Sequence, residues 1–160
     1  MVRLEIKDFV REYDGGTVAL SLPYSAKEAT EVCATVMING AMTDRRFAYL
    51  SVSGVVGEAE VFFGGTSLGK IFSGERKNYD IKSLLSYGER EVKIKLAPGA
   101  ILTAPPVLLS FNSAAIDGVH VTERHEGGGV TLDIKLRTLG ASDGIKAIAT
   151  LVSGAGQIYY

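Results

Sequence analysis

The stretch from Phe47 to Leu96, FAYLSVSGVVGEAEVFFGGTSLGKIFSGERKNYDIKSLLSYGEREVKIKL, decides how this chain folds. Ala59, Val61 and Phe63 alternate with Glu58, Glu60 and Phe62, and Gly64-Gly65 follows at once. Two glycines supply the positive φ angles of a tight two-residue hairpin, so the chain returns as Thr66 to Phe72. Further on, Asp80 precedes Ile81-Lys82-Ser83-Leu84-Leu85, where a carboxylate accepts the free N–H groups of one short helical turn that Gly88 can end. Val92, Ile94 and Leu96 then face one way and Lys93 and Lys95 the other, the period-two pattern of a half-buried strand.

Working outward, the sequence predicts strands at roughly 2–7, 16–22, 33–38, 46–54, 57–63, 67–72, 91–96, 106–111, 118–124, 129–138 and 145–152, mostly separated by Gly, Asn, Asp or Ser. Only Ala26–Glu31 and Ile81–Leu85 read as helical. A parallel α/β sheet needs crossover helices, which are missing here, so the fold class is all-β, an antiparallel sandwich.

At 160 residues, 46% hydrophobic and 22% charged, the chain can bury a core as one domain or one and a piece. A formal charge of −1 with interspersed signs gives no footprint for nucleic acid or an anionic membrane. The N-terminus carries charges throughout and no stretch approaches about 18 apolar residues, so neither a signal peptide nor a membrane span is expected and the expected location is cytoplasmic. Cys33 is the single cysteine, which excludes an intrachain disulfide and a paired-cysteine metal site. Between Val32 and Ala34 it reads as a small core residue.

A boundary is expected near Ala114-Ala115-Ile116-Asp117, giving residues 1–116 as a first sandwich and 117–160 as a second element. Beyond it lie about three strands, with Leu132, Ile134 and Leu136 on one face, whereas an immunoglobulin-like sandwich takes about 100 residues and seven strands. Three strands alone leave an open apolar face and unpaired edges. The expectation is therefore that the chain is the N-terminal part of a longer polypeptide. The alternative is that these strands complete the first sandwich.

The stretch from Ala34 to Leu109 resembles the N-terminal sugar-binding domain of glycoside hydrolase family 2, the family of β-galactosidases, β-glucuronidases and β-mannosidases. That family carries a phrase like L-x-F-x-G-V, then A-x-V-w-l-N-G-x-x-l-G, then F-D-I-T-d-l-L-k-x-G-E-N. Here Leu50-Ser51-Val52-Ser53-Gly54-Val55 takes the first place, Ala59 to Gly69 the second and Tyr79-Asp80-Ile81 to Gly88-Glu89-Arg90 the third. Ser21-Leu22-Pro23-Tyr24 is similar to the family's L-P-H-D phrase, with Tyr24 in place of histidine. Asp117-Gly118-Val119-His120-Val121-Thr122 is similar to the opening of the immunoglobulin-like domain that follows. The resemblance implies a galactose-binding-like jelly roll and an accessory role, with no catalytic residue in this chain, no cofactor and no metal. It also implies carbohydrate as a ligand, a downstream catalytic barrel of the same polypeptide as partner, and a retaining β-glycosidase as the parent. A homo-oligomer is left open. The family's W-R-x-S-G-I-x-R-x-V phrase, which faces the active site, corresponds to Ala97–Val107, where neither Trp nor Arg occurs. That departure favours a scaffold over a substrate-contacting role.

Taken on its own chemistry, the chain offers few sites. Glu58 and Glu60 lie on one strand and read as surface charges, not as the opposed pair of a glycosidase. His120 and His125 lack the converging ligands of a metal site. Gly127-Gly128-Gly129 is followed by neither a helix nor Lys-Ser/Thr, so it reads as a hairpin or loop. No serine sits in a G-x-S-x-G elbow. In Ser73–Tyr79, Arg76 and Tyr79 are the carbohydrate-binding candidates, since rings stack on sugar faces while charged groups bond hydroxyls. The competing reading makes Tyr79 core and the charges a solvated loop. A free-standing carbohydrate-binding or protein-interaction module is the alternative to the glycosidase domain.

Overall fold

A computed structural model describes residues 1–126, 128–140, 148, 150–152 and 158–159. Two compact units, Met1–Asn112 and Ser113–Tyr160, divide the chain. In the first, β1 (Val2–Glu5), β2 (Val10–Tyr13), β3 (Gly16–Ala19), β4 (Tyr24–Ser25) and β5 (Thr30–Ile38) precede the short helix α1 (Gly40–Thr43). Then come β6 (Phe47–Val52), β7 (Val55–Val56), β8 (Glu58–Phe63), β9 (Thr66–Phe72) and β10 (Lys77–Asp80). A 3₁₀ turn at Lys82–Leu84 leads to β11 (Gly88–Leu96), β12 (Ile101–Leu102) and β13 (Val107–Phe111).

The strands form a four-stranded sheet in the order β1-β13-β6-β10, a six-stranded sheet β3-β2-β5-β11-β8-β9, and a small sheet β4-β12-β7. Alternation decides which side chains go inside. Thr30, Val32, Ala34, Val36 and Ile38 of β5, Ala59, Val61 and Phe63 of β8, and Val92, Ile94 and Leu96 of β11 are buried. All of these but Thr30 join Ala48, Leu50, Val52 and Leu108 of the other sheet in one core cluster. Each fully buried Leu, Ile or Phe contributes about 1.5–3 kcal/mol of transfer free energy. The expected all-β sandwich is the observed one.

The hairpin read from Gly64-Gly65 is present: both have positive φ, 54° and 82°, and Phe63 pairs with Thr66. The expected short turn is also present. Ile81 is fully buried and the Asp80 carboxylate accepts the Lys82 N–H at 2.9 Å. Gly88, read as the end of that turn, instead opens β11 with φ 105°.

Two further expectations are corrected, and two elements appear that had none. Ala26–Glu31 is not helical: the Ala26 N–H bonds the Ala100 oxygen at 2.9 Å, and the Ala26 oxygen accepts the Gly99 N–H at 2.7 Å. Those tertiary bonds outweigh the modest helix preference of Ala, Lys and Glu. Cys33 is half-exposed and lies outside the core, because Val32 and Ala34 on either side point inward. Val10–Tyr13 is a strand and Gly40–Thr43 a helical turn capped by Asn39, whose side chain accepts the Met42 N–H; neither was read from the sequence.

In the second unit, β14 (Ala115–Glu126) and β15 (Gly129–Leu139) form a long antiparallel ribbon, and β16 (Leu151–Val152) pairs with β17 (Ile158–Tyr159). Gly128, at φ 81°, lies at the tip of the ribbon, where Glu126 pairs with Gly129. Directly opposed residues share a face, which gives one side made of Val119/Leu136, Val121/Ile134, Glu123/Leu132 and His125/Val130. Its apolar members are 39–58% exposed. The other side carries His120/Lys135, Thr122/Asp133 and Arg124/Thr131. Of the strand expected at 145–152, residues 145–147 and 149 lie outside the described residues, and Leu151–Val152 are in β16.

Candidate functional site

The segment singled out as sugar-binding connects the last strands of the two large sheets. Gly74, at φ 75°, turns the chain after β9, and the Glu75 carboxylate accepts the Phe72 N–H at 2.9 Å while pairing with Lys77 at 3.1 Å. The Phe72 N–H first, and Lys77 second, hold the Glu75 carboxyl below its ordinary range. Lys77 also lies 5.7 Å from the Phe72 ring centre and donates to the Lys70 oxygen at 2.7 Å.

This arrangement separates the two candidates. Tyr79, opposite Leu50, packs against the core and its hydroxyl donates to the Lys70 oxygen at 3.4 Å. Burial pushes the pKa of that hydroxyl up, aided by the nearby Glu75 charge. Arg76 is exposed and lines a concavity of about 230 Å³ together with Arg3, Ser51, Ser53, Val107 and Leu109.

Strand register builds that concavity. Arg3 stands opposite Leu109, and Val107 opposite Ser51, so β1, β13 and β6 present these side chains on the face away from the core. Ser51 is nearly buried at 7% exposure. The Arg3 guanidinium donates to Glu5 at 2.7 Å, and Glu5 also meets Lys7 at 2.8 Å; Lys7 and then Arg3 lower the Glu5 pKa. The surface can offer guanidinium and hydroxyl donors beside an apolar wall. The sequence reading found Arg76 alone of this group. Arg3 and Leu109 are over a hundred positions apart, and only the β1–β13 register brings them together.

The remaining candidate groups are engaged elsewhere. Glu58 pairs with Lys70 and Glu60 accepts the Ser67 hydroxyl, both at 2.6 Å. His125 meets Glu123 at 2.8 Å, and His120 and Thr122 are 3.2 Å apart. Among the described residues no three His, Cys, Asp or Glu side chains are grouped to hold a metal, and no helix is long and apolar enough to cross a membrane. Within Ala97–Val107, Ala100 and Leu102 are buried, and β12 pairs with both β4 and β7, so this stretch is largely committed to the fold.

No protein-family model matches the chain, nor does any curated protein. Solved structures do. The β-D-mannosidase of Dictyoglomus thermophilum matches 85% of this chain with 26% of its own, at 14% identity and TM-score 0.71. The exo-chitosanase of Amycolatopsis orientalis matches 89% with 25% of its own, at 13% identity and TM-score 0.70. The β-glucuronidase of Ruminococcus gnavus matches 98% with 36% of its own, at 10% identity and TM-score 0.68. The chain thus spans about a quarter to a third of the enzymes it matches. It has the fold shared by a part of each of these glycosidases, and the resemblance of Ala34–Leu109 to glycoside hydrolase family 2 holds at the level of three-dimensional structure.

Proposed function

We propose that this chain is a non-catalytic, carbohydrate-contacting portion of a family 2 glycoside hydrolase, with hydrolysis carried by a barrel elsewhere in the polypeptide. The observation that carries this reading is the match of 85–98% of the chain to only 25–36% of several glycosidases. The chemistry within the chain agrees. A glycosidase needs two carboxylates flanking the scissile bond, roughly 5–9 Å apart, one acting as acid. Glu58 is tied to Lys70 and Glu60 to Ser67, on the outer side of one strand. In this reading the parent is a retaining β-glycosidase and Ser113–Tyr160 opens a following immunoglobulin-like sandwich, whose further strands cover the apolar side of the β14–β15 ribbon.

The test has two parts. The purified chain should turn over no aryl β-glycoside; turnover abolished by a single carboxylate substitution would overturn the non-catalytic assignment. The reading frame beyond Tyr160 should encode a barrel with two acidic residues at strand ends. A stop codon at that point would favour a free-standing binding module instead.

A further inference from the structure

Asn39-Gly40 is the one Asn-Gly pair in the chain, and nothing in the fold requires its glycine. Gly40 is not among the positive-φ glycines, and a Cβ on it would meet only the Asp44 carboxylate beyond its own turn, at an ordinary 3.9 Å. Alanine would fit there and suits a helical turn better. We propose that Asn39-Gly40 is a self-modifying site that α1 holds shut, losing its side-chain amide only when that turn opens. This chemistry needs neither a sugar nor a barrel, so it stands or falls apart from the glycosidase reading.

Water is the only co-reactant. The Gly40 nitrogen gives up its proton to base and attacks Asn39 Cγ; a new C–N bond closes a five-membered succinimide, and the side-chain nitrogen takes up a proton and leaves as ammonia. Water then opens the ring at either carbonyl, giving aspartate or isoaspartate. Glycine favours closure because no Cβ crowds the attacking nitrogen or restricts its backbone. Closure also brings the Gly40 nitrogen round to eclipse the Asn39 Cβ, whereas Asn39 sits at φ −110° and ψ 171°, which keeps the two staggered. Turning ψ swings α1 off the end of β5, and several contacts resist it. The Asn39 side chain accepts the Met42 N–H at 3.2 Å, and its main-chain oxygen accepts the N–H groups of Met42 at 3.0 Å and Thr43 at 3.1 Å. Met42 is buried in the core, and the Lys82 ammonium donates to the Thr43 oxygen at 2.6 Å. Asn39 is nonetheless exposed and α1 spans only four residues, so it opens more readily than the sheets unfold. Aspartate at position 39 keeps the cap, because a carboxylate oxygen accepts the same N–H. Isoaspartate lengthens the main chain by one carbon and breaks the join between β5 and α1.

Incubation of the whole chain at mildly alkaline pH, folded and in urea, followed by peptide mapping for aspartate and isoaspartate, tests the assignment. In urea, position 39 should react ahead of Asn78 and Asn112, which precede tyrosine and serine. In the folded chain it should react at least about tenfold more slowly than in urea. Lys82→Met removes one tie to α1 without taking away a core side chain, and should raise the folded rate about fivefold while leaving the rate in urea unchanged. Met42→Ala should raise the folded rate further; if that variant does not fold, Lys82→Met decides alone. Gly40→Ala should fold at least as stably as the parent and react about tenfold more slowly in urea. Equal rates in the folded and denatured chain, or a folded rate that loosening α1 leaves unchanged, would overturn the latch. Faster reaction at Asn78 or Asn112 in urea, or an unchanged rate in Gly40→Ala, would overturn the site.

Discussion

Lys77 Nζ stands 2.7 Å from the main-chain oxygen of Lys70, so the outermost strand of the four-stranded sheet is tied by a side chain to the outermost strand of the six-stranded sheet. The Tyr79 hydroxyl reaches the same oxygen at 3.4 Å. An edge strand exposes unpaired carbonyls that invite a neighbouring chain, and here one of them is occupied from the opposite layer. The sandwich is thereby closed on the side where β9 and β10 would otherwise part.

Lys77→Met keeps most of the aliphatic stem and removes the donor. A hydrogen bond of this kind contributes about 1 kcal/mol net, so the unfolding free energy should fall by that amount, read as a lower urea midpoint at an unchanged slope. An unaltered midpoint would mean that the bond adds nothing and that packing alone closes the edge.

Gly54 and Gly65 both have positive φ, 72° and 82°, yet their surroundings differ. A Cβ on Gly54 would meet Thr103 Oγ1 at 2.6 Å and the Ala104 Cβ at 2.8 Å, while one on Gly65 meets nothing within 4 Å. The close approach is held by Thr103, whose N–H and hydroxyl both donate to the Gly54 oxygen at 2.7 Å. Gly65→Ala should therefore cost only backbone strain, about 1 kcal/mol, and Gly54→Ala strain plus overpacking, about 3 kcal/mol. Equal losses in a denaturation series would show that φ alone matters at Gly54.

These two glycines also show what the sequence makes legible. Gly64-Gly65 follows an alternating strand, so its role is local and could be read directly. The role of Gly54 depends on Thr103, 49 positions away, and no local pattern announces that contact. The same distinction separates Val92, Ile94 and Leu96, whose alternation showed the buried face, from Ala26, whose bonds to the Gly99–Ala100 segment cancel a helical-looking stretch. The candidate surface was the least legible part. Arg76 was visible as a charge in a loop, but Arg3, Ser51 and Leu109 join it only through strand register.

Glu31 lies between Lys95 at 2.8 Å and Lys93 at 3.5 Å on the outer face of the six-stranded sheet. The hydrogen bond from Lys95 is the main reason its pKa falls below the ordinary 4.5. A carboxyl lowered in the folded state adds stability above its unfolded pKa and loses it as pH falls through the folded value. The unfolding midpoint should thus hold near neutral pH and drop below about pH 4.5, with a smaller acid drop in Glu31→Gln. Because Glu31 is largely exposed, 1 M salt should shrink the difference between the two proteins. Identical acid limbs would show that Glu31 is not coupled to folding.

Cys33 gives a prediction at the opposite end of the pH scale. Burial, with the Glu91 charge second, pushes its thiol from 9.0 to about 11. The thiolate is the reactive form, so the folded chain should alkylate slowly at pH 8 and the denatured chain much faster. The folded rate should keep climbing beyond pH 9, where the denatured rate levels off. The stability sign follows: the neutral thiol is favoured by the fold, so its contribution is complete below the unfolded pKa near 9 and is lost as pH rises toward 11. Cys33→Ser should therefore flatten the alkaline limb of the stability profile. Alkylation of the folded chain that levels off near pH 9 would place the thiol in solvent and contradict the burial that raises its pKa on β5.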